Sequence, residues 1–348
     1  MKKIIILPAL VFAMFSCSTD NNTSEEVEQL QQSKNVYVLG YEKESGINTL
    51  RVWKNGVPSN ISDGIKTALP RDLFVEGDNV YVVGCQDDAN GIRQASLWKN
   101  GVKSSLSNGT GQNYANGIFV QNNQVNIVGS INGFQEASYW LNGTYNTLPI
   151  TSTFSKTADK IHGDANNICI AGEIIESGSK SKAVVWINNN LFNLTDGSTR
   201  AIPQRVLLSG GFVYTLLYLN NKAVIAKTNS ASGTTLIELM TQNGVDAHPT
   251  DFAITSSGDV YIVGYEVING FDTPFLFKNG ARQNYFATVP TSVIPTSIFI
   301  DGVDVYVSGT EDTPSGVDLI RVWKNGQIQN INLSSSAQDR YATRIIVK

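Results

Sequence analysis

The chain has 348 residues, 41% of them hydrophobic and only 16% charged, with 30 glycines. Glycine-rich, charge-poor composition suits a turn-rich β protein, because helices need more charge on their exposed faces. A formal net charge of −4, without any basic cluster, excludes a nucleic-acid binder that must neutralise phosphates.

The chain opens with Lys2 and Lys3, then an apolar run from Ile4 to Phe15, then Ser16 and Cys17. That run is shorter than the roughly 20 residues of a membrane-spanning helix but suits the core of a signal peptide. The small residue Ser16 directly before Cys17 resembles the lipobox of bacterial lipoprotein signals, while Met14 and Phe15 depart from the aliphatic and small residues usual at their positions. The resemblance implies cleavage after residue 16 and lipid on Cys17. The expected location is then the bacterial cell envelope, at the outer membrane, with the lipid as the membrane partner. Residues 17–34 carry only Val27 and Leu30 as large aliphatic side chains, too little burial to offset ordering entropy, so a flexible tether is expected.

Seven similar apolar runs follow: NVYVLG, NVYVVG, QVNIVG, NICIAG, FVYTLL, DVYIVG and DVYVSG. Counted from Val36, Val80, Val125, Ile168, Val213, Val260 and Val305, they recur at steps of 44, 45, 43, 45, 47 and 45 residues. This is the period of a four-stranded propeller blade. Each repeat reads as an inner strand (DLFVEG, GIFVQN, SIFIDG), the VYVVG-type strand, a third strand ending in a WKNG-like turn, and a short polar fourth strand. Asn-Gly supplies the positive dihedrals of a two-residue hairpin. Trp53, Trp98, Trp140, Trp186 and Trp323 share one register in the third strand, Phe277 fills it in the sixth repeat, and Lys227 is expected there in the fifth. These aromatics read as wedges between blades.

The first repeat lacks an inner strand, and the C-terminal TRIIVK supplies a spare one. Pairing the two completes a blade and removes the free sheet edges. Residues 35–348 therefore resemble seven-bladed β-propellers: all-β, four-stranded blades of about 45 residues, closed by the C-terminal strand on the N-terminal blade. A monomer is expected. The sequence has no WD dipeptide, kelch di-glycine or sialidase-type aspartate box. Cys85 and Cys169 fall at different register positions of non-adjacent repeats and are expected as free buried thiols.

Eight and nine residues before each second strand stand polar pairs: Arg71/Asp72, Asn116/Gly117, Asp159/Lys160, Gln204/Arg205, Thr296/Ser297, and, with a loop one residue longer, Thr250/Asp251. Thr343/Arg344 is the terminal equivalent. Polar residues where a core should lie point to a hydrated funnel of mixed charge at the channel mouth. The second-to-third-strand loops add twelve acids against five bases. His162, in the register of Phe74 and Phe119, reads as core; His248 is expected in a loop on the funnel face. Only two histidines are available, so neither a His-based metal site nor a catalytic triad has support, and no cofactor is expected.

The candidate binding residues are thus Arg71, Asp72, Asn116, Asp159, Lys160, Gln204, Arg205, His248, Asp251 and Arg344, with Arg205, His248 and Asp251 near the most divergent fifth repeat. The repeats stay close to one length, which favours a non-catalytic module that binds protein or glycan at the funnel. The alternatives are a carbohydrate-active hydrolase or lyase using acids of the same face, and a structural envelope component without ligand.

Overall fold

A computed structural model describes residues 34–106, 111–150, 155–176, 180–231, 233–238, 246–287 and 291–348. The expected signal peptide, Cys17 and nearly all of the expected tether lie outside the described residues. Seven four-stranded antiparallel sheets follow one another in chain order. The first blade runs from the C-terminal strand Asp339–Val347 outward through Val36–Glu44, Ile47–Lys54 and Val57–Asn60. The other six begin with inner strands Ala68–Glu76, Tyr114–Gln121, Lys156–Gly163, Ala201–Ser209, Ala247–Ile254 and Val293–Asp301. Each inner strand touches that of the next blade, and Asp339–Val347 closes the ring against Ala68–Glu76.

Closure is a full strand pairing. Val36 faces Val347 and Lys43 faces Asp339, and Asn35 and Lys348 exchange both main-chain hydrogen bonds at 2.7 and 3.0 Å. A buried charge knot reinforces it: Glu42 accepts from Arg340 Nε at 3.0 Å and also pairs with Arg51 of the third strand.

Each letter of WKNG has a separate physical task. The tryptophan rings are at most 5% exposed, and each sits in a core cluster shared with the preceding blade. The lysine lies over the tyrosine of the second strand: Lys54 over Tyr37, Lys99 over Tyr81, Lys278 over Tyr261 and Lys324 over Tyr306, all within 5.1–5.5 Å of the ring centre. The asparagine and glycine both take positive φ, near 51° and 80° at Asn100 and Gly101. The asparagine amide oxygen also accepts from a main-chain N–H at the start of the second strand, as Asn100 does from Val80 at 2.8 Å. Six of the seven blades repeat that last contact.

The fifth blade corrects one expectation. Pairing of Thr215 with Ala226 and Tyr214 with Lys227 puts Ala226 in the tryptophan register. Lys227 is instead the lysine of the motif, over the Tyr214 and Phe212 rings. The longer turn shifts the apparent alignment by one residue. The interface between the fourth and fifth blades is accordingly packed with small and aliphatic side chains. Cys85 and Cys169 are free and buried, as expected.

Two stability measurements check this account. Deleting residues 343–348 should abolish the cooperative high-temperature transition expected of the full chain in calorimetry. Trp98→Ala should cost about 3–5 kcal/mol in urea unfolding, the usual loss for a fully buried large ring, whereas Lys227→Ala should cost far less.

Candidate functional site

The channel is shaped by one irregularity repeated in all seven inner strands. The pairing register slips at Arg71, Asn116, Asp159, Gln204, Thr250, Thr296 and Thr343, each an extra residue opposite the second strand. A proline or alanine precedes every one of them: Pro70, Ala115, Ala158, Pro203, Pro249, Pro295 and Ala342. Proline has no N–H to give a ladder, so it is tolerated at such a bulge. In six blades a glycine faces the slip from the second strand. A Cβ on Gly129 would run into the carbonyl oxygen of Tyr114, and one on Gly84 into that of Leu69. Leu217 takes this place in the fifth blade.

The bulge turns two consecutive polar residues towards the axis. Four second members of the pairs, Asp72, Arg205, Asp251 and Arg344, form a plug across the channel. Arg344 pairs with Asp251 at 2.5 Å and with Asp72 at 3.4 Å; Arg205 lies 3.7 Å from Asp251 and 3.8 Å from Asp72. These four side chains are only 3–13% exposed. Both carboxylates are held from behind by main-chain donors. Asp72 accepts from Leu73 N and from Ile118 N of the next blade; Asp251 accepts from Phe252 N and from Ile298 N of the next blade. Each aspartate therefore staples two blades while it neutralises arginine. A buried charge unit of this kind is costly to break by removing one partner.

On the mouth side of the plug is a cup of about 480 Å³. The bulge residues Arg71, Gln204, Thr250, Thr296 and Thr343 line it, with Lys160, Tyr41 and Tyr341. No carboxylate is among its lining residues. Thr250 donates to Pro295 O at 2.7 Å, while the Thr343 hydroxyl is buried without a protein partner. Burial lowers the pKa of Lys160, and Asp72 and Asp159 work against that shift.

The fourth blade holds two shifted acids beside the cup. Asp159 accepts from Thr157 Oγ1 at 2.6 Å and from Asn116 Nδ2 at 3.2 Å, and burial raises its pKa. Glu173, in the strand Ile168–Ile174, is pushed up to about 7, first by burial and then by the charge of Asp159.

The sequence-predicted residues thus separate into three groups. Arg71, Gln204 and Lys160 line the cup; Asp72, Arg205, Asp251 and Arg344 form the plug beneath it; Asn116 and Asp159 bond to each other. His248 stands apart and is not in a loop. It is the second residue of the inner strand Ala247–Ile254, stacked between Tyr218 and Tyr265 at 4.9 and 4.8 Å, with Asp246 at 3.1 Å from Nε2. His162 is buried against Phe119, accepts from Leu208 N at Nδ1, and has its pKa lowered to about 4 by burial and by Arg205 and Arg344.

Part of the expected acidic rim is internal. Glu42 and Glu266 are fully buried in second strands, and Glu311 pairs with Arg321. Their counter-ions, Arg51, Arg282 and Arg321, come from the outer strands. Nothing about this was visible from loop counting, although Arg51 and Arg321 both stand two residues before a tryptophan. Among the described residues no three of His, Cys, Asp and Glu converge as a metal site.

No known family's sequence profile matches the chain, and no curated protein matches its sequence. Solved structures share the fold. A puromycin-hydrolysing peptidase of Mycobacterium tuberculosis aligns over 84% of this chain and 51% of its own, with TM-score 0.56 and 10% identity. A puromycin hydrolase aligns over 76% and 47%, with TM-score 0.54 and 10% identity. The chain spans about half the length of these two proteins, and the likeness is one of fold.

The pH dependence of stability tests the fourth-blade acids. Glu173 has a folded pKa of about 7 against an ordinary value of 4.5. Between those values the folded state holds more protons than the unfolded one, so stability falls as pH rises and levels off above about 7. Glu173→Gln should therefore raise the melting temperature at pH 8 by roughly 2 °C or more, with little change at pH 4.

Proposed function

We propose that this propeller is a non-catalytic binding module whose ligand is an acidic glycan held in the mouth cup. The carrying observation is the cup itself: a blind depression floored by an ion plug, rich in hydroxyl and amide groups, with Arg71 and Lys160 and no lining carboxylate. Hydroxyl and amide groups match the donors and acceptors of a sugar. Two cations in a lining without carboxylates favour a carboxylated or sulfated one. The exposed faces of Tyr41 and Tyr341, stacked at 6.2 Å, offer an apolar flank to a sugar ring. The plug aspartates do not compete for this role, because main-chain donors and arginines already occupy them. The resemblance of residues 1–17 to a lipoprotein signal supports display on the bacterial envelope, where such polysaccharides are met.

A hydrolase using the same face is the second reading, favoured by one observation: burial raises the pKa values of both Asp159 and Glu173, and the charge of Asp159 raises that of Glu173 further. A carboxyl still protonated near neutral pH is what a general acid requires.

Binding of polygalacturonate oligosaccharides, measured by calorimetry at low salt, separates the readings. Saturable binding with no release of reducing ends is expected. Lys160→Met should weaken it about tenfold or more, as loss of a charge-assisted contact does, and an uncharged oligosaccharide should not bind measurably. Turnover that disappears with Glu173→Gln while the fold persists would instead establish the hydrolase. Equal affinity of wild type and Lys160→Met would remove the cup from consideration.

A further inference from the structure

The channel has a second compartment on the other side of the plug. It encloses about 330 Å³ and is lined largely by apolar side chains of the inner strands, among them Phe74, Phe119, Leu207, Ala253, Phe299 and Ile346. That size lies at the lower end of small-molecule sites. Phe74 and Phe119 meet edge to face at 5.6 Å, giving a rigid aromatic wall. Both plug arginines line this chamber, and neither lines the mouth cup. At the far end Lys348 places Nζ 5.9 Å from the Phe74 ring.

The charged side chains of the lining residues are those of Arg205, Arg344 and Lys348, with no acidic side chain among them. Arg205 reaches neither aspartate at hydrogen-bond distance, with Nε 3.7 Å from Asp251 and Nη1 3.8 Å from Asp72, and the Nε of Arg344, 3.4 Å from Asp72, also lacks a hydrogen bond. An unsatisfied charged donor in an apolar enclosure is expensive and marks a place where an acceptor is wanted. His162, also in the lining, senses the same field: both arginines lower its pKa, outweighing the opposing effect of Asp164. Its Nδ1 accepts from Leu208 N, so the neutral ring carries its proton on Nε2 as a further donor.

We propose that this chamber binds a small organic carboxylate with an apolar body, its carboxylate against the guanidinium groups of Arg205 and Arg344 and its hydrocarbon or aromatic part among Phe74, Phe119 and Phe299. The ligand enters from the face that carries Lys348, opposite to the mouth cup. An inorganic anion would forgo the apolar wall, and a neutral hydrocarbon would leave the Arg205 guanidinium without an acceptor.

The probe is 3-phenylpropionate, titrated into the full chain by calorimetry beside its neutral amide. The carboxylate should bind saturably with a dissociation constant of about 1 mM or tighter, and the amide at least tenfold more weakly. Ala253→Phe, which adds a ring inside the chamber, should abolish binding while the melting transition is kept. Equal binding of acid and amide would overturn the proposed arginine contact. Absence of saturation, or unchanged binding in a folded Ala253→Phe variant, would overturn the site. The acid–amide comparison needs no variant and stands even if that substitution disturbs folding.

Discussion

The structure depends on a slip of one residue in each inner strand, opposite a second-strand position that is glycine in six blades of seven. A regular strand would alternate its side chains, turning one of any two neighbours into the blade interface. The slip lets both members of a polar pair face the axis, and that single departure creates the plug, the cup above it and the chamber below. In those six blades the bulged strand's carbonyl occupies the space of a Cβ, which only glycine leaves free. Proline or alanine is found just before the slip, where a ladder N–H is dispensable.

The plug links mechanics to function. Asp72 and Asp251 each reach a main-chain N–H of the following blade, while Arg344 on the C-terminal strand joins both. Ring closure and channel closure therefore share one set of side chains. The strand that completes the first blade also brings the arginine that completes the plug, and Glu42 with Arg340 locks the same strand farther out. Opposite compartments then acquire different chemistry from the same seven strands, since successive inward positions are polar at the bulge, charged at the plug and apolar beyond it.

Much of the fold was legible because the repeat is written in residue types with strict local demands. The asparagines and glycines of the turns adopt the positive φ that only such residues take readily, and the tryptophans fill equivalent gaps between blades. The inner polar pairs were also visible, but not their division of labour, because nothing in one strand tells which members meet across the axis. Register slips defeat counting in the same way: the fifth blade's longer turn hid Ala226 behind Lys227. The buried state of Glu42 and Glu266 escaped for another reason, since their counter-ions come from different strands. His248 was placed in a loop because a proline follows it, whereas here proline marks the bulge of a strand.

The central claim is that Arg344 and Asp251 meet, desolvated, across the channel from strands 93 residues apart. A double-mutant cycle with Arg344→Met and Asp251→Asn, read by urea unfolding, tests it most directly. Two groups in one buried network should show a coupling of about 1–3 kcal/mol, with the double variant less damaged than the sum of the single ones. Additivity to within about 0.3 kcal/mol would mean that the two side chains do not touch, and the closed channel would go with them.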